Sequence, residues 1–298
     1  NFIRYRKIYF VFSGILVIGS IFCLINFGLN PGIDFTGGSI LEIEYTNERP
    51  LNQEIKEELN DIDLGEIYIQ PTGEKGVLLR MKDISEETHQ AIIKKLNKNN
   101  SSNKVEERKF ESIGPTIGKE MKSKTKVVAI LSLLAVLFYI ALAFRRVSRP
   151  VASWQYGMAA LIALFHDIFI PLGVFSILGA YQGVQITIPV IAAFLTVLGY
   201  SINDSVVVFD RVRENIIKRK GVTFEETANI SLNQTLIRSV NTSFTTLLVL
   251  FAIFFFGGET LKYFALALII GIGCGTYSSI FLATPVLVSW SNLKKRHK

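Results

Sequence analysis

The sequence predicts a membrane protein: an all-α bundle of six transmembrane helices, with an extracytoplasmic α+β domain of ferredoxin-like order inserted after the first helix. Three observations carry this. The stretches 8–27, 127–144, 239–258 and 263–293 hold no charged residue, and between Pro150 and Asn203 the only Asp, Glu, Lys, Arg or His are His166 and Asp167. A bilayer core of about 30 Å takes about 20 apolar helical residues per crossing, so these stretches read as spans. Basic residues cluster between the spans, and the segment from Gly28 to Lys124 is rich in both signs of charge. Only 19% of the 298 residues are charged and 49% are hydrophobic, where a soluble domain carries about a quarter charged. A soluble enzyme, a disordered chain and a disulfide scaffold are excluded.

The spans are expected at 8–27, 126–144, 153–180, 186–208, 236–256 and 261–289. The first is preceded by Arg4, Arg6 and Lys7 like a signal peptide, but its apolar run is longer than a signal core and no small-residue cleavage site follows. The other basic groups are Arg145, Arg146 and Arg149; Arg211, Arg213, Lys218, Arg219, Lys220 and Arg238; and Lys294, Lys295, Arg296 and Lys298. Placing all four groups in the cytoplasm requires an even number of crossings between them, which six spans satisfy with both termini inside. The segment 28–125 is then the extracytoplasmic domain, and 126–298 a five-helix domain containing a cytoplasmic amphipathic segment at 211–235. Residues 28–124 hold 14 Lys or Arg against 18 Asp or Glu, a net of −4, and the remainder holds 18 against 7, a net of +11. The basic loops read as topology determinants beside anionic lipid rather than as a nucleic-acid surface, since no aromatics interleave them. Cys23 and Cys274 lie within spans and read as small apolar residues.

Within the outside segment, Ser39–Tyr45 alternates as a strand, and Asn52–Asn60 has Leu51, Ile55 and Leu59 at helical spacing with Asn52 as candidate cap. Glu66–Gln70 and Val77–Met81 read as strands about a turn at 71–76. Ser85 opens a second helix with His89, Ile92, Ile93 and Leu96 on its apolar face; a polar loop at Asn97–Asn103 leads to a last strand at Lys104–Ile113. The order β-α-β-β-α-β is that of the split βαβ unit. His89 is expected to pack rather than to catalyse, and the strand edges are candidates for binding extended peptide.

Polar residues inside the spans carry the chemistry, because an ionisable group there is costly. Asp204 lies about six residues above the inner end of the fourth span, on a face with Thr196, Tyr200 and Asn203. Arg238, Asn241, Thr242 and Thr245 form a second polar stripe on the fifth. Asp204 and Arg238 fall at similar depth, so the guanidinium is expected within reach of the carboxylate, as a proton-binding site or as a static ion pair. His166 and Asp167, one turn before Pro171, form a second intramembrane pair, open between a proton relay and helix packing; with Asn203 and Thr242 they are the candidate relay residues. No metal site is expected there, since no other His or Cys stands at ligand spacing. Gly271, Gly275 and Ser279 repeat every four residues and read as a close helix contact. Gly221–Leu232, with Phe224, Ala228 and Leu232 on one face, reads as an amphipathic helix on the inner surface.

Three segments resemble the SecD/SecF family of protein-export membrane proteins, on its SecF side, within the resistance-nodulation-division-like superfamily. They are the GIDFTGG stretch at 32–38 (Gly32, Asp34, Gly37, Gly38), the stretch VLGYSINDSVVVFDRVREN at 197–215 (with Asp210 and Arg211), and SLNQTLIRS at 231–239. The resemblance covers essentially the whole chain. It implies a subunit that acts with SecD and the SecYEG channel, beside YidC and YajC, on an exported unfolded polypeptide in the bacterial inner membrane. It also implies use of the proton-motive force after SecA has acted, no cofactor, and proton-conduction roles for Asp204 and Arg238. Two other classes remain open: a proton-coupled efflux subunit for small molecules or lipids, and a purely structural membrane subunit. The chain opens on Asn1 rather than Met, which leaves a free SecF and the second half of a fused SecDF both open.

Overall fold

A computed structural model describes residues 1–99, 103–144, 151–218 and 222–296. The expected basic residues Arg145, Arg146, Arg149, Arg219, Lys220 and Lys298, and part of the polar loop before the last strand, lie outside the described residues. The chain divides into two compact units, Asn1–Asn30 with Val128–Lys298, and Pro31–Val127.

The first unit is helical. Among the described residues six helical stretches are long and apolar enough to cross a bilayer: Ile3–Phe27, Pro115–Ala143, Ser153–Gln182, Ile188–Lys218, Phe224–Phe256 and Leu261–Leu293. This is a multi-pass membrane protein. Its helices are α1 (Arg6–Phe27), the membrane part of α5 (Pro115–Ala143), α6 (Ser153–Gln182), α7 (Ile188–Lys218), α8 (Phe224–Phe256), α9 (Glu259–Ser278) and α10 (Thr284–Arg296); α2 to α4 belong to the second unit. A π-helical turn at Ser279–Ala283 joins α9 to α10. Helices α6, α7 and α9 form the centre, with about half of their apolar windows buried, whereas α1 and α5 are peripheral.

Small residues let the central helices approach. A Cβ on Gly271 would strike the Val197 side chain, and one on Gly275 would sit 3.3 Å from Ser201 Cβ. The glycine stripe of α9 therefore packs against α7 of the same chain. One end of this unit holds an aromatic cluster of Phe144, Tyr156 and Phe209, with ring centroids 5.3–5.7 Å apart.

The described part of the amphipathic stretch from Phe224 is not a separate surface helix. It is the start of α8, a continuous 33-residue helix about 50 Å long by its rise, while 211–218 end α7 and 219–221 lie outside the described residues. Its apolar face is where the sequence puts it, since Phe224, Ala228 and Leu232 are buried against the core that contains Phe209 and Val212. Thr223 caps it, accepting from the Glu226 N–H. With both charge and a buried face, the segment satisfies a surface reading and an extension of the span equally well. Packing of this face against Phe209 and Val212 decides for the extension.

The second unit is a four-stranded antiparallel sheet with short helices. It comprises α2 (Ile33–Thr36), β1 (Gly38–Tyr45), α3 (Asn52–Glu58), β2 (Tyr68–Thr72), β3 (Gly76–Met81), α4 (Glu86–Asn99) and β4 (Val105–Ile113). The strand order is β2-β3-β1-β4, with Leu41 opposite Leu79 on one side and Phe110 on the other. Leu41, Ile43, Tyr45, Val77, Leu79, Ile55, Ile92 and Leu96 fill the core. β2 begins two residues later than the sequence suggests and includes Pro71. α3 is capped by Leu51 rather than Asn52, with the Glu54 carboxylate accepting from the Leu51 N–H at 3.2 Å. α4 runs on through Asn99, past the expected start of the loop. His89 packs as expected: it is buried, stacked 3.8 Å from the Phe110 ring and within 3.1 Å of the Glu86 and Glu107 carboxylates.

The two glycines at the end of the 32–38 motif have a backbone reason. Gly37 has φ +74° and Gly38 φ +128°, and a Cβ on Gly38 would lie 2.8 Å from the Met81 carbonyl oxygen. Gly38→Ala is expected to destabilise this unit by about 1–3 kcal/mol. Limited proteolysis of the full chain in detergent checks this through faster cleavage within residues 31–127; an unchanged digestion rate would contradict it.

Candidate functional site

Two carboxylates, Asp167 and Asp204, fall within the stretches expected as spans at 153–180 and 186–208, and serine hydroxyls hold both. Asp204 on α7 is half-buried. Its Oδ1 accepts from Ser239 Oγ on α8 at 2.6 Å, and its Oδ2 accepts from Ser279 Oγ at the π-helical turn. Asp167 on α6 is fully buried; its Oδ1 lies 2.8 Å from His166 Nδ1, and its Oδ2 accepts from Ser201 on α7 and from Ser278 on α9, the latter at 2.6 Å. Nearby, Tyr200 donates to Ser243 at 3.3 Å, and Ser243 and Thr276 hydroxyls are 2.5 Å apart. A polar seam thus joins α6, α7, α8 and α9. Short hydroxyl side chains suit it, because they satisfy a buried carboxylate without bringing in a second charge.

The sequence places Asp204 and Arg238 at one depth, and the structure separates them in azimuth. Ser239 occupies the side of α8 that meets Asp204, and the next residue on a helix is turned by about 100°. Arg238 is exposed and makes no ion pair with Asp204 among the described residues. Instead it lines a cleft of about 260 Å³ with Val206, Asp210, Arg211, Glu214 and Gln234. On that side Asp210 pairs with Arg213 at 2.6 Å and Arg211 with Glu214 at 2.6 Å.

The Thr and Asn stripes also face outward. Thr196, Asn203, Asn241, Thr242 and Thr245 are exposed on the surface of the chain. Thr196, Thr242 and Thr245 return their hydroxyls to carbonyls of their own helices at 2.8–3.0 Å. The two stripes therefore do not face each other within the chain. Ser201, Ser239 and Ser278 escape a sequence reading because single serines are ordinary in membrane helices, and Ser279 reads from sequence only as a small residue of a helix contact. The adjacent pair Ser278-Ser279, within an uncharged run, is the one available signal.

In the other unit, Gly32, Asp34, Gly37 and Gly38 form the turn before β1. Thr36 Oγ1 donates to the Gly32 carbonyl at 3.1 Å, and Gly37 N–H donates to the Ile33 carbonyl at 2.9 Å. These residues shape backbone.

Comparison with known proteins bears on both units. Residues 92–293 match the family described as protein export membrane protein SecD/SecF, C-terminal, and residues 24–48 match the SecD/SecF GG motif. The chain is 41% identical to the protein translocase subunit SecF of Thermobaculum terrenum, over 98% of this chain and 94% of that protein. It is 37% identical to that of Haemophilus influenzae, over 96% and 84%. The crystal structure of SecDF from Thermus thermophilus superposes with a TM-score of 0.83 at 34% identity, covering 98% of this chain and 38% of that one. A super-membrane-facing form of SecDF gives 0.70 at 33% identity, over 100% and 39%. The chain spans well under half of the length of these SecDF proteins. Since the GG motif coincides with the Gly37-Gly38 turn, and the larger signature runs from α4 to the last helix through both carboxylates, the chain belongs to the SecD/SecF family.

Proposed function

We propose that the chain is the SecF subunit of a Sec protein translocase, that it works with a SecD partner in the bacterial inner membrane, and that proton flow at Asp204 drives the exported polypeptide onward. One observation carries the proton reading: Asp204 is a membrane-depth carboxylate at a three-helix junction, held by two hydroxyls and still partly exposed. An ionised carboxylate accepts from both Ser239 and Ser279. Once protonated, it must itself donate, so one of the two hydroxyls must change from donor to acceptor and send its own proton elsewhere. Protonation therefore rearranges the hydrogen bonds that tie α7 to α8 and to the π-helical turn. A charge moving through 100 mV releases about 2.3 kcal/mol, enough for a few protons to bias two arrangements of the bundle. Arg238, with the charged cleft around Asp210 and Glu214, suits a role on the inner route for the proton. Asn203 and Thr242 suit a role as polar positions outside Asp204.

The outward stripes support a partner. Thr196, Asn203, Asn241 and Thr242 are poorly suited to lipid, and a second membrane bundle would cover them. The similarity to SecF and SecDF proteins points to SecD. With the basic groups inside, both termini are cytoplasmic and the Pro31–Val127 unit stands outside. Its strand order β2-β3-β1-β4, with α3 and α4 as crossovers, supports a ferredoxin-like reading. An unfolded polypeptide leaving SecYEG is the substrate in this reading, with YidC and YajC as further associates.

A cysteine at Asn241 is expected to cross-link to a co-expressed SecD partner, and a cysteine at the lipid-facing Ile15 is not. Equal yields at both positions, or a chain that purifies alone, would sink the partner reading.

A further inference from the structure

The dyad of α6 has a feature that packing does not require. Asp167 accepts from three helices, with both hydroxyls on Oδ2 and the imidazole on Oδ1. The tautomer that gives its Nδ1–H to Asp167 Oδ1 leaves a lone pair on Nε2. That nitrogen is buried, with no hydrogen-bond partner, in a residue only 2% exposed. His166 also lines a groove of about 430 Å³ between α1, α6 and the last helix, whose walls are otherwise apolar except for Ser13, with Phe10, Phe165, Leu282 and Val286 among them. A buried acceptor left without a donor costs about 1–3 kcal/mol.

We propose that His166 is a second proton-binding site, which takes a proton on Nε2, with Asp167 as the counter-charge that positions the ring. The step balances simply: the Nε2 lone pair forms an N–H bond with a proton from hydronium, water is released, and the dyad passes from one negative charge to none.

The groups facing His166 agree with this. Its own helix brings Asp167. Helix α9 brings Tyr277, whose ring lies 5.6 Å away and whose hydroxyl is engaged with Ser13 and the Tyr9 carbonyl. Helix α1 brings Ser13 and Tyr9, and α7 brings Ser201. No cationic side chain is bonded to Asp167 among the described residues, so the imidazole is the group that can neutralise it.

The site is wired to Asp204. Ser278 donates to Asp167 and the next residue, Ser279, donates to Asp204, at the start of the π-helical turn. Such turns recur at functional positions because their geometry is easily shifted along the helix. Loading His166 weakens the hold of Asp167 on Ser278, and the adjoining peptide carries that change to Ser279. The inference goes beyond the reading of Asp204 and does not rest on it.

The test is a ring-nitrogen NMR titration of the full chain in lipid nanodiscs. The chain has three histidines, His89, His166 and His297, and His166→Asn, which keeps a donor near the Nδ1 position, identifies the His166 signal by its loss. The expected result is that Nε2 gains a proton between about pH 8 and about pH 5. In Asp167→Asn the same change is expected to need at least about tenfold more protons. An Nε2 that stays unprotonated throughout in the wild-type chain overturns the proposal, as does a titration unchanged by Asp167→Asn. If Asp167→Asn fails to fold, the wild-type titration alone decides. Export is not the readout, so a negative result here is distinct from a failure of the Asp204 reading.

Discussion

Asp204→Asn is expected to leave the chain folded and bound to its partner while export falls to the level of a strain lacking the protein. The amide is nearly the same shape as the carboxylate. Its oxygen still accepts from Ser239, and its nitrogen can donate to Ser279, whose oxygen has lone pairs to receive it. The structural cost is thus about one rearranged hydrogen bond, of order 1 kcal/mol. What disappears is the ability to exchange a proton, and no neighbour can replace it, since both partners are serines. Ser239→Ala and Ser279→Ala are expected to be milder, because each leaves the carboxylate with one donor and its titration intact. Pulse-chase of an exported precursor, with co-purification of the partner as the control for folding, separates the outcomes. Normal export in Asp204→Asn would leave the chain with a structural role only.

The largest expected effect on stability comes from Gly173→Val. A Cβ at this position would lie 2.5 Å from Ser20 Cβ and 2.6 Å from Ser20 Cα on α1. Part of the obstacle is backbone, so no rotamer change relieves it and the helices must separate. Helix α1 is docked mainly here: Ser176 Oγ donates to the Cys23 carbonyl at 2.9 Å, and a Cβ on Gly179 would stand 3.3 Å from Asn30 Cβ. In a bilayer, where lipid is as apolar as leucine, close packing and a few polar contacts are what hold such a helix. A loss of at least about 1–3 kcal/mol is expected, read as a lower midpoint of thermal unfolding in detergent. Gly14→Ala is the matched control, since its Cβ would meet nothing within 4 Å, and it should leave the midpoint unchanged. Equal midpoints for Gly173→Val and wild type would contradict the packing account.

Much of this architecture was legible in the residues because a bilayer imposes a single rule, that uncharged runs of span length become helices. The six spans and the strand alternation of Ser39–Tyr45 followed from pattern alone. Boundaries did less well where two environments want the same pattern. The amphipathic face of Phe224, Ala228 and Leu232 was read correctly, yet whether it lies on a surface or prolongs α8 depends on tertiary packing. Pro71 ends a strand as readily as it sits on an edge strand, and here it does the latter. The site divides in the same way. Depth along a helix follows from counting, so Asp204 and Arg238 were placed on one level. Rotation about the axis does not follow from counting, because it depends on which face of α8 packs inward. Ser239 faces inward and Arg238 faces the cleft. The seam of Ser201, Ser239, Ser278 and Ser279 stayed hidden for a related reason: a serine becomes informative only once its neighbour across the interface is known.

Proton passage across the membrane through Asp204, as proposed above, can be observed without export. The direct measurement is proton entry into sealed proteoliposomes holding the chain and its SecD partner, with a pH-sensitive dye inside and a potassium-diffusion potential imposed. Internal acidification with the wild-type chain is expected to rise with the potential, and with Asp204→Asn to fall to the rate of protein-free liposomes. Equal acidification by the two chains, or none above protein-free liposomes with the wild type, would contradict it.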